Sequence, residues 1–401
     1  MLSTITPPYS TPQHLTDHLA MGVASYRNTV VGTGDSIMRC QGASFNTCSF
    51  LEYCSIPSGG AMKVVANYGI NGNKTADILA RISSDALTQN ALYVIVMEAV
   101  NDAMNGVTVS QHRTNMTGII AAIKASGRIP IIVGAAPSNS WDTWKYNAAD
   151  QQLCSSLGVT YVNPWFVCTA NGHWIDATYS IDGTHPTPMA SRKAGAALWS
   201  LLAPMFVGSQ DLTWQNTDLS GLIPNGLFQN VQSAGSNGYV PTGWVGSTTT
   251  GITHSVAAIA QPGVGNYWQI AANNASSWAV STMTGLSIPS GWTAGDTVRL
   301  SCRVNTSGFE ANGSALAGSY PTQGKIGAYI NLSWGGTSSS LLLREIDGDI
   351  SGVFSVDGVI PSGATGAAMQ VVIDPYSGST VSGTLQIAQL QVHNLSLLSR
   401  M

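Results

Sequence analysis

Through the first half of the chain, short, mostly apolar runs alternate with longer segments whose apolar residues recur at helical spacing. Through the second half, apolar and polar residues alternate one by one between turn residues. The runs are Thr29–Val31, Met62–Asn67, Ala91–Glu98, Ile129–Gly134 and Val159–Asn163. They are rich in Val and Ile, as parallel strands covered on both faces require. Helices are predicted at Thr75–Ser84, Ser110–Ser126, Thr143–Leu157 and Pro188–Leu202, with Ser110 a candidate N-cap and Gly127 and Gly158 candidate C′ glycines. Such alternation predicts a doubly wound α/β sheet over residues 29–207. Residues 1–28 read as an extended arm (Ile5-Thr6-Pro7-Pro8) and a short helix (Thr16–Ala24).

Residues 208–224 carry no clear period and read as a linker. From 225 to 401 the strand candidates are Tyr267–Ala271, Thr297–Val304, Gly327–Ser333, Leu341–Ile346, Ala368–Ile373 and Leu385–Val392. Asn-Gly, Pro-Ser-Gly and Asp-Gly turns separate them. Many short strands with turn signals predict an all-β sandwich of jelly-roll type.

Composition narrows the class. Only 9% of the 401 residues are charged, against roughly 25% in ordinary soluble domains. A net charge of −4 without a basic run argues against nucleic acid or an anionic membrane surface as partner. No run of 18 apolar residues exists, so no membrane span is expected. Met1–Arg27 lacks the basic start and apolar core of a signal peptide. A low-charge surface rich in hydroxyls and amides suits work outside the cytoplasm, often on neutral polymers. The cysteines are Cys40, Cys48, Cys54, Cys154, Cys168 and Cys302, and the spacings of the first three match no zinc pattern. They read mostly as buried free thiols, with one local disulfide among Cys40, Cys48 and Cys54 as the alternative. His14 and His18 lie four apart with no third ligand nearby and read as surface residues. Neither a metal nor a cofactor is expected.

In a parallel sheet, functional groups collect at the carboxyl ends of the strands. Gly34-Asp35-Ser36 follows the first run, Asn67 to Asn73 the second, and Glu98-Ala99-Val100-Asn101-Asp102 the third; Asp182-Gly183-Thr184-His185 follows the fifth. Ser36 is the candidate nucleophile, His185 its general base, and Asp182 the carboxylate that orients the imidazole. The developing oxyanion needs donors. The candidates are the backbone N–H of Ser36, the N–H of Gly72, and the uncharged amide of Asn101. Gly69 stays open as an alternative to Gly72, and Glu98 reads as a buried carboxylate held by local hydrogen bonds. The rival Gly-x-Ser-x-Gly elbow does not occur in the chain.

These four blocks, in this order, resemble the SGNH/GDSL hydrolase family over roughly residues 29 to 203. The resemblance implies a three-layer α/β/α, flavodoxin-like domain with the triad Ser36, His185 and Asp182. It also implies an oxyanion hole from Ser36, Gly72 and Asn101. Val100 departs from the family, which commonly has glycine there, and is expected to narrow the site. Trp141 and Trp144 after the fourth run, and His173-Trp174 after the fifth, offer indole faces suited to sugar rings; core packing is the alternative. Leu222 to Phe228, with Pro241-Thr242-Gly243-Trp244, resembles the start of carbohydrate-binding jelly-roll modules. There Trp268, Trp278, Trp292 and Trp334 are candidates for stacking on ligand or for core, and Trp244 for core.

The resulting expectation is a serine esterase that removes O-acetyl groups from a polysaccharide. It looks similar to phage tail-fibre or tailspike deacetylases, extracellular or virion-associated, and a homotrimer if a tail protein. The alternatives are a secreted bacterial carbohydrate or lipid esterase and a catalytically silent glycan-receptor-binding protein.

Overall fold

The structure, a computed structural model, describes residues 28–39, 49–58, 61–169, 174–206, 222–258, 265–312, 327–346, 351–374 and 380–398. The arm and helix expected at 1–28 and nearly all of the linker lie outside these residues. So do Cys40, Cys48 and His173. The chain divides into two compact units. Residues 52–58, within the first half of the sequence, group with the second unit.

In the first unit five strands form one sheet: β1 (Thr29–Gly34), β2 (Lys63–Gly69), β3 (Tyr93–Met97), β4 (Ile129–Val133) and β5 (Thr160–Val162). Every pairing is parallel and the order is β2-β1-β3-β4-β5. The order reverses direction at β1, where β2 and β3 lie on opposite sides; a crevice opens at such a point at the carboxyl ends. The helices of this half of the chain are α1 (Ser36–Arg39), α2 (Phe50–Ser55, of which residues 52–55 group with the second unit), α3 (Thr75–Arg81), α4 (Val100–Met104), α5 (Val109–Ala125), α6 (Trp144–Leu157) and α7 (Pro188–Leu202).

Alternate strand residues face opposite sides of the sheet. Val31, Val94, Val96 and Ile132 pack with Ile78 of α3, with Met116, Ile119, Ile120 and Ile123 of α5, and with Leu153 of α6. Tyr93 points the other way, and its ring meets Phe206, which also touches Trp199 of α7. Helices thus cover both faces. One expectation needs correcting: Thr108, not Ser110, caps α5, because its hydroxyl accepts the Gln111 N–H at 3.1 Å. Gly127 and Gly158 both adopt positive φ, as helix-terminating glycines do.

In the second unit every pairing between the described strands is antiparallel. Its strands are β6 (Val231–Ser233), β7 (Tyr239–Pro241), β8 (Ile252–Ala258), β9 (Asn266–Ala275), β10 (Ala279–Leu286), β11 (Thr297–Asn312), β12 (Gly327–Gly335), β13 (Ser340–Ile346), β14 (Ser351–Val359), β15 (Gly366–Asp374) and β16 (Thr380–Asn394). One sheet runs β10-β15-β12-β13, a second β14-β11-β16-β9-β8, and β6 pairs with β7. Burial alternates along β9, where Trp268, Ile270 and Ala272 are buried; on β11 the apolar Val298, Leu300, Cys302 and Val304 alternate with polar residues, of which Arg299 and Ser301 are buried too. Trp244 and Trp268 stack at 4.9 Å inside this unit. Trp292 and Trp334 are buried too, so of the four indoles considered for ligand stacking only Trp278 is exposed. Among the described residues no helix is long and apolar enough to cross a membrane.

Candidate active site

The nucleophile turn is set by crowding. A Cβ on Gly34, the last residue of β1, would sit 2.3 Å from the Met97 carbonyl and 2.8 Å from Met38 Cβ. Only glycine fits between β3 and the turn that follows β1. Asp35 then accepts the Ile37 N–H at 2.8 Å, which turns the chain into α1 with Ser36 as its first residue. Ser36 Oγ lies 2.9 Å from His185 Nε2, and His185 Nδ1 lies 2.8 Å from Asp182 Oδ2. Asp182 Oδ1 also accepts the N–H groups of Thr184 and His185, at 2.9 and 2.7 Å, so the carboxylate orders its own loop. Gly183 makes that turn possible with φ +82°. From the loop after β4, the Ser138 hydroxyl lies 3.2 Å from the Gly183 carbonyl and 2.9 Å from Thr184 Oγ1, bracing the same turn.

The other two loops start level with this one. Gly34 pairs in register with Gly69 on β2 and with Met97 on β3. Ser36, Gly72 and Asn101 therefore lie two, three and four residues beyond the same edge of three adjacent strands. Gly69 donates its N–H to Asn67 Oδ1 at 2.9 Å. The Gly72 N–H donates to no group among the described residues. Of the two glycines left open by the sequence, Gly72 is the one with a donor to offer. Asn101 is 5% exposed, and its Nδ2 is buried without a hydrogen-bond partner among the described residues. Such a donor costs stability unless something fills it. Val100 is buried as well. Arg81 braces two of the loops: Nε donates to Asn73 Oδ1 at 2.7 Å, Nη2 to the Gly34 carbonyl at 3.0 Å, and Nη1 pairs with Asp85.

Residues 33–193 match the GDSL-like Lipase/Acylhydrolase family. This stretch is a GDSL-family hydrolase domain. No curated protein sequence matches the chain. Among solved structures, the GDSL domain is similar to a G-D-S-L family protein from Desulfitobacterium hafniense, at 16% identity and a TM-score of 0.40, over 44% of this chain and 99% of that one. It is also similar to an acetylxylan esterase from Geobacillus stearothermophilus, at 17% identity and a TM-score of 0.37, over 45% of this chain and 94% of that one.

Behind the Gly72 and Asn101 loops the GDSL domain holds a polar cluster that is not evident from the sequence. Asp102 Oδ1 accepts the Thr75 N–H at 3.1 Å, and Oδ2 accepts the Thr75 hydroxyl at 2.6 Å. His112 Nδ1 lies 2.8 Å from that same Oδ2, and His112 Nε2 lies 3.0 Å from Asp150 Oδ1. All four residues are buried. Burial disfavours an imidazolium, but the two carboxylates outweigh it and raise His112 to about 9. Burial also acts to raise Asp102, yet hydrogen bonds from His112 and Thr75 hold it below its ordinary value. Glu98, buried beside Asp102 and Asp35, is pushed well up, first by burial and then by those charges. Its Oε1 accepts the Asn101 and Asp102 N–H groups at 3.2 and 3.3 Å. Asp35 rises to about 6, chiefly from burial. Glu98, Asp102 and His112 place potential metal-ligand atoms within 4.8 Å of one another. Asp102 Oδ2 and His112 Nδ1 are hydrogen-bonded to each other at 2.8 Å, and His112 Nε2 is engaged by Asp150.

Trp141, on the loop after β4, Trp144, the first residue of α6, and Trp174, after β5, are 36%, 39% and 43% exposed. Phe166, which the sequence reading passed over, is exposed on the same side. With Trp144, Trp165, Pro137, Asn147 and Asn163 it lines a shallow cavity.

Proposed function

We propose that the GDSL domain is a serine esterase that removes O-acetyl groups from a polysaccharide. The observation that carries this reading is the hydrogen-bonded chain Ser36–His185–Asp182 at the carboxyl edge of the sheet. The Ser36 O–H donates to Nε2 and the Nδ1–H to Asp182, the tautomer this network favours. Ser36 Oγ attacks the acyl carbon as its proton passes to His185 Nε2. The oxyanion takes hydrogen bonds from the N–H groups of Ser36 and Gly72 and from Asn101 Nδ2. His185 returns the proton to the departing sugar oxygen, leaving an acetyl-serine. Water, deprotonated by His185, then releases acetate. The exposed indoles of Trp141, Trp144 and Trp174 support a sugar substrate, since flat apolar faces match the C–H faces of pyranose rings.

For the second unit we propose a jelly roll that binds or positions the polymer. Its pairing order supports this, four strands of each sheet interleaving in sequence as two Greek keys do. Exposed Trp278 offers a stacking face.

The test is acetate release from acetylated glycans and from p-nitrophenyl acetate, with Ser36→Ala expected to abolish both. Glycan binding without turnover by the wild type would favour a silent receptor-binding role. Faster turnover of long acyl chains than of acetyl would favour a lipase.

A further inference from the structure

The esterase chemistry uses neither His112 nor Asp150, yet they form an ion pair buried inside the domain. Their placement answers a question the site poses. Gly72 and Asn101 lie on loops after different strands, and two donors can converge on one oxyanion only if those loops keep a fixed spacing. Asp102 is the link. It is the residue after Asn101, and it holds both polar groups of Thr75, three residues after Gly72. A small side chain on a five-residue helix is itself free to shift. Asp102 is prevented from doing so by His112 on α5, which Asp150 on α6 holds from its other ring nitrogen. Asn115, one turn along α5, donates to the Thr75 hydroxyl at 2.9 Å. The Tyr146 ring closes over the imidazole edge-on at 5.0 Å.

We infer that His112, clamped between Asp102 and Asp150, is a positioning residue that fixes the spacing of the Gly72 and Asn101 loops and so shapes the oxyanion hole. The inference rests on the esterase reading above. Both ring nitrogens of His112 face carboxylate oxygens, so the cationic ring, donating from both, is the form that satisfies them. The titratable groups against it are Asp102 on α4, Asp150 and Tyr146 on α6, and Glu98 after β3; Cys154 and Tyr161 adjoin Asp150, whose burial pushes it above its ordinary value while His112 pulls it down. Loss of the ring proton leaves one of the two carboxylates without its donor and frees Asp102 to move. The oxyanion hole then loosens at alkaline pH, in the range where His112 titrates.

The experiment compares kcat and KM for p-nitrophenyl acetate across pH in wild type, His112→Gln and Asp150→Asn, normalised to the folded fraction from circular dichroism. His112→Gln is expected to lose about 10²-fold in kcat, the cost of misplaced groups, with KM within about threefold. Asp150→Asn keeps an acceptor for Nε2 but removes a charge. It is expected to retain kcat within about threefold at pH 7 while its alkaline limb of kcat moves down by about one pH unit or more. Unchanged kcat per folded His112→Gln enzyme, or an unmoved limb in Asp150→Asn, would overturn the inference. If His112→Gln does not fold, the limb of Asp150→Asn decides alone. Absence of turnover in the wild type would instead defeat the esterase reading itself.

Discussion

The GDSL domain contains two aspartate–histidine arrangements with nearly the same hydrogen-bond lengths and opposite surroundings. His185 lies 2.9 Å from a hydroxyl and 2.8 Å from one carboxylate, with side-chain exposures of 17% for His185 and 37% for Asp182. His112 lies 2.8 and 3.0 Å from two carboxylates, all of it buried. On the esterase reading, a proton enters and leaves the first ring because its second partner is a neutral hydroxyl that itself gives up a proton. The second ring is held in its charged form by two acceptors that water cannot reach. Geometry alone does not distinguish a base from a strut; the chemical identity of the far partner and access to water do.

The largest effect that would break this contrast is functional. His185→Ala should lose roughly 10⁴–10⁶ in kcat while thermal unfolding shifts little, because the ring is partly exposed. A large fall in Tm would show that His185, too, is structural. Asn101→Ala comes next, with about 10²–10³ in kcat and little change in KM, read by steady-state kinetics. A loss only in KM would mean its orphaned amide meets ground-state substrate instead. His112→Ala is expected to cost roughly 3–5 kcal/mol in denaturant unfolding, the usual consequence of removing one partner of a buried pair.

The smallest effect sharpens the contrast by adding a buried carboxyl whose hydrogen bonds come from backbone N–H groups. Asp35 has a folded-state value near 6, above its ordinary 3.8, so the folded state holds a proton that the unfolded state has released. Its contribution to stability is therefore fully present below about pH 4 and is lost as pH rises towards 6. Asp35→Asn keeps an oxygen for the Ile37 N–H. It should flatten that decline relative to wild type, gaining on the order of 2 kcal/mol at pH 7 by chemical unfolding.

The five parallel strands were legible because each is a run of branched apolar residues too short for a helix. The short helices α1, α2 and α4 were not, since four to six residues span less than two turns and show no period. On β10 the inward position Ser281 is polar and buried, which hides the alternation that marks a strand. Ser36, Asp182 and His185 were readable as blocks on loops, and the structure brings them into one hydrogen-bonded chain. His112 and Asp150 were hidden by their helices, where isolated polar residues read as solvated surface. A signal did exist. His112 is in phase with Asn115, Met116 and Ile119, and Asp150 with Tyr146, Asn147, Leu153 and Cys154, all on buried faces.

Arg81 gives the site a further property. Its planar guanidinium reaches the Gly34 carbonyl, just before the nucleophile, and the Asn73 amide oxygen, just after Gly72. A lysine could not serve both acceptors with one fixed fork. On the esterase reading, Arg81 thereby ties the nucleophile's strand end to the loop of a proposed oxyanion donor. An acetyl group entering such a site finds these two loops already joined. The free energy of binding is then available to stabilise the tetrahedral adduct, with little diverted to ordering loops.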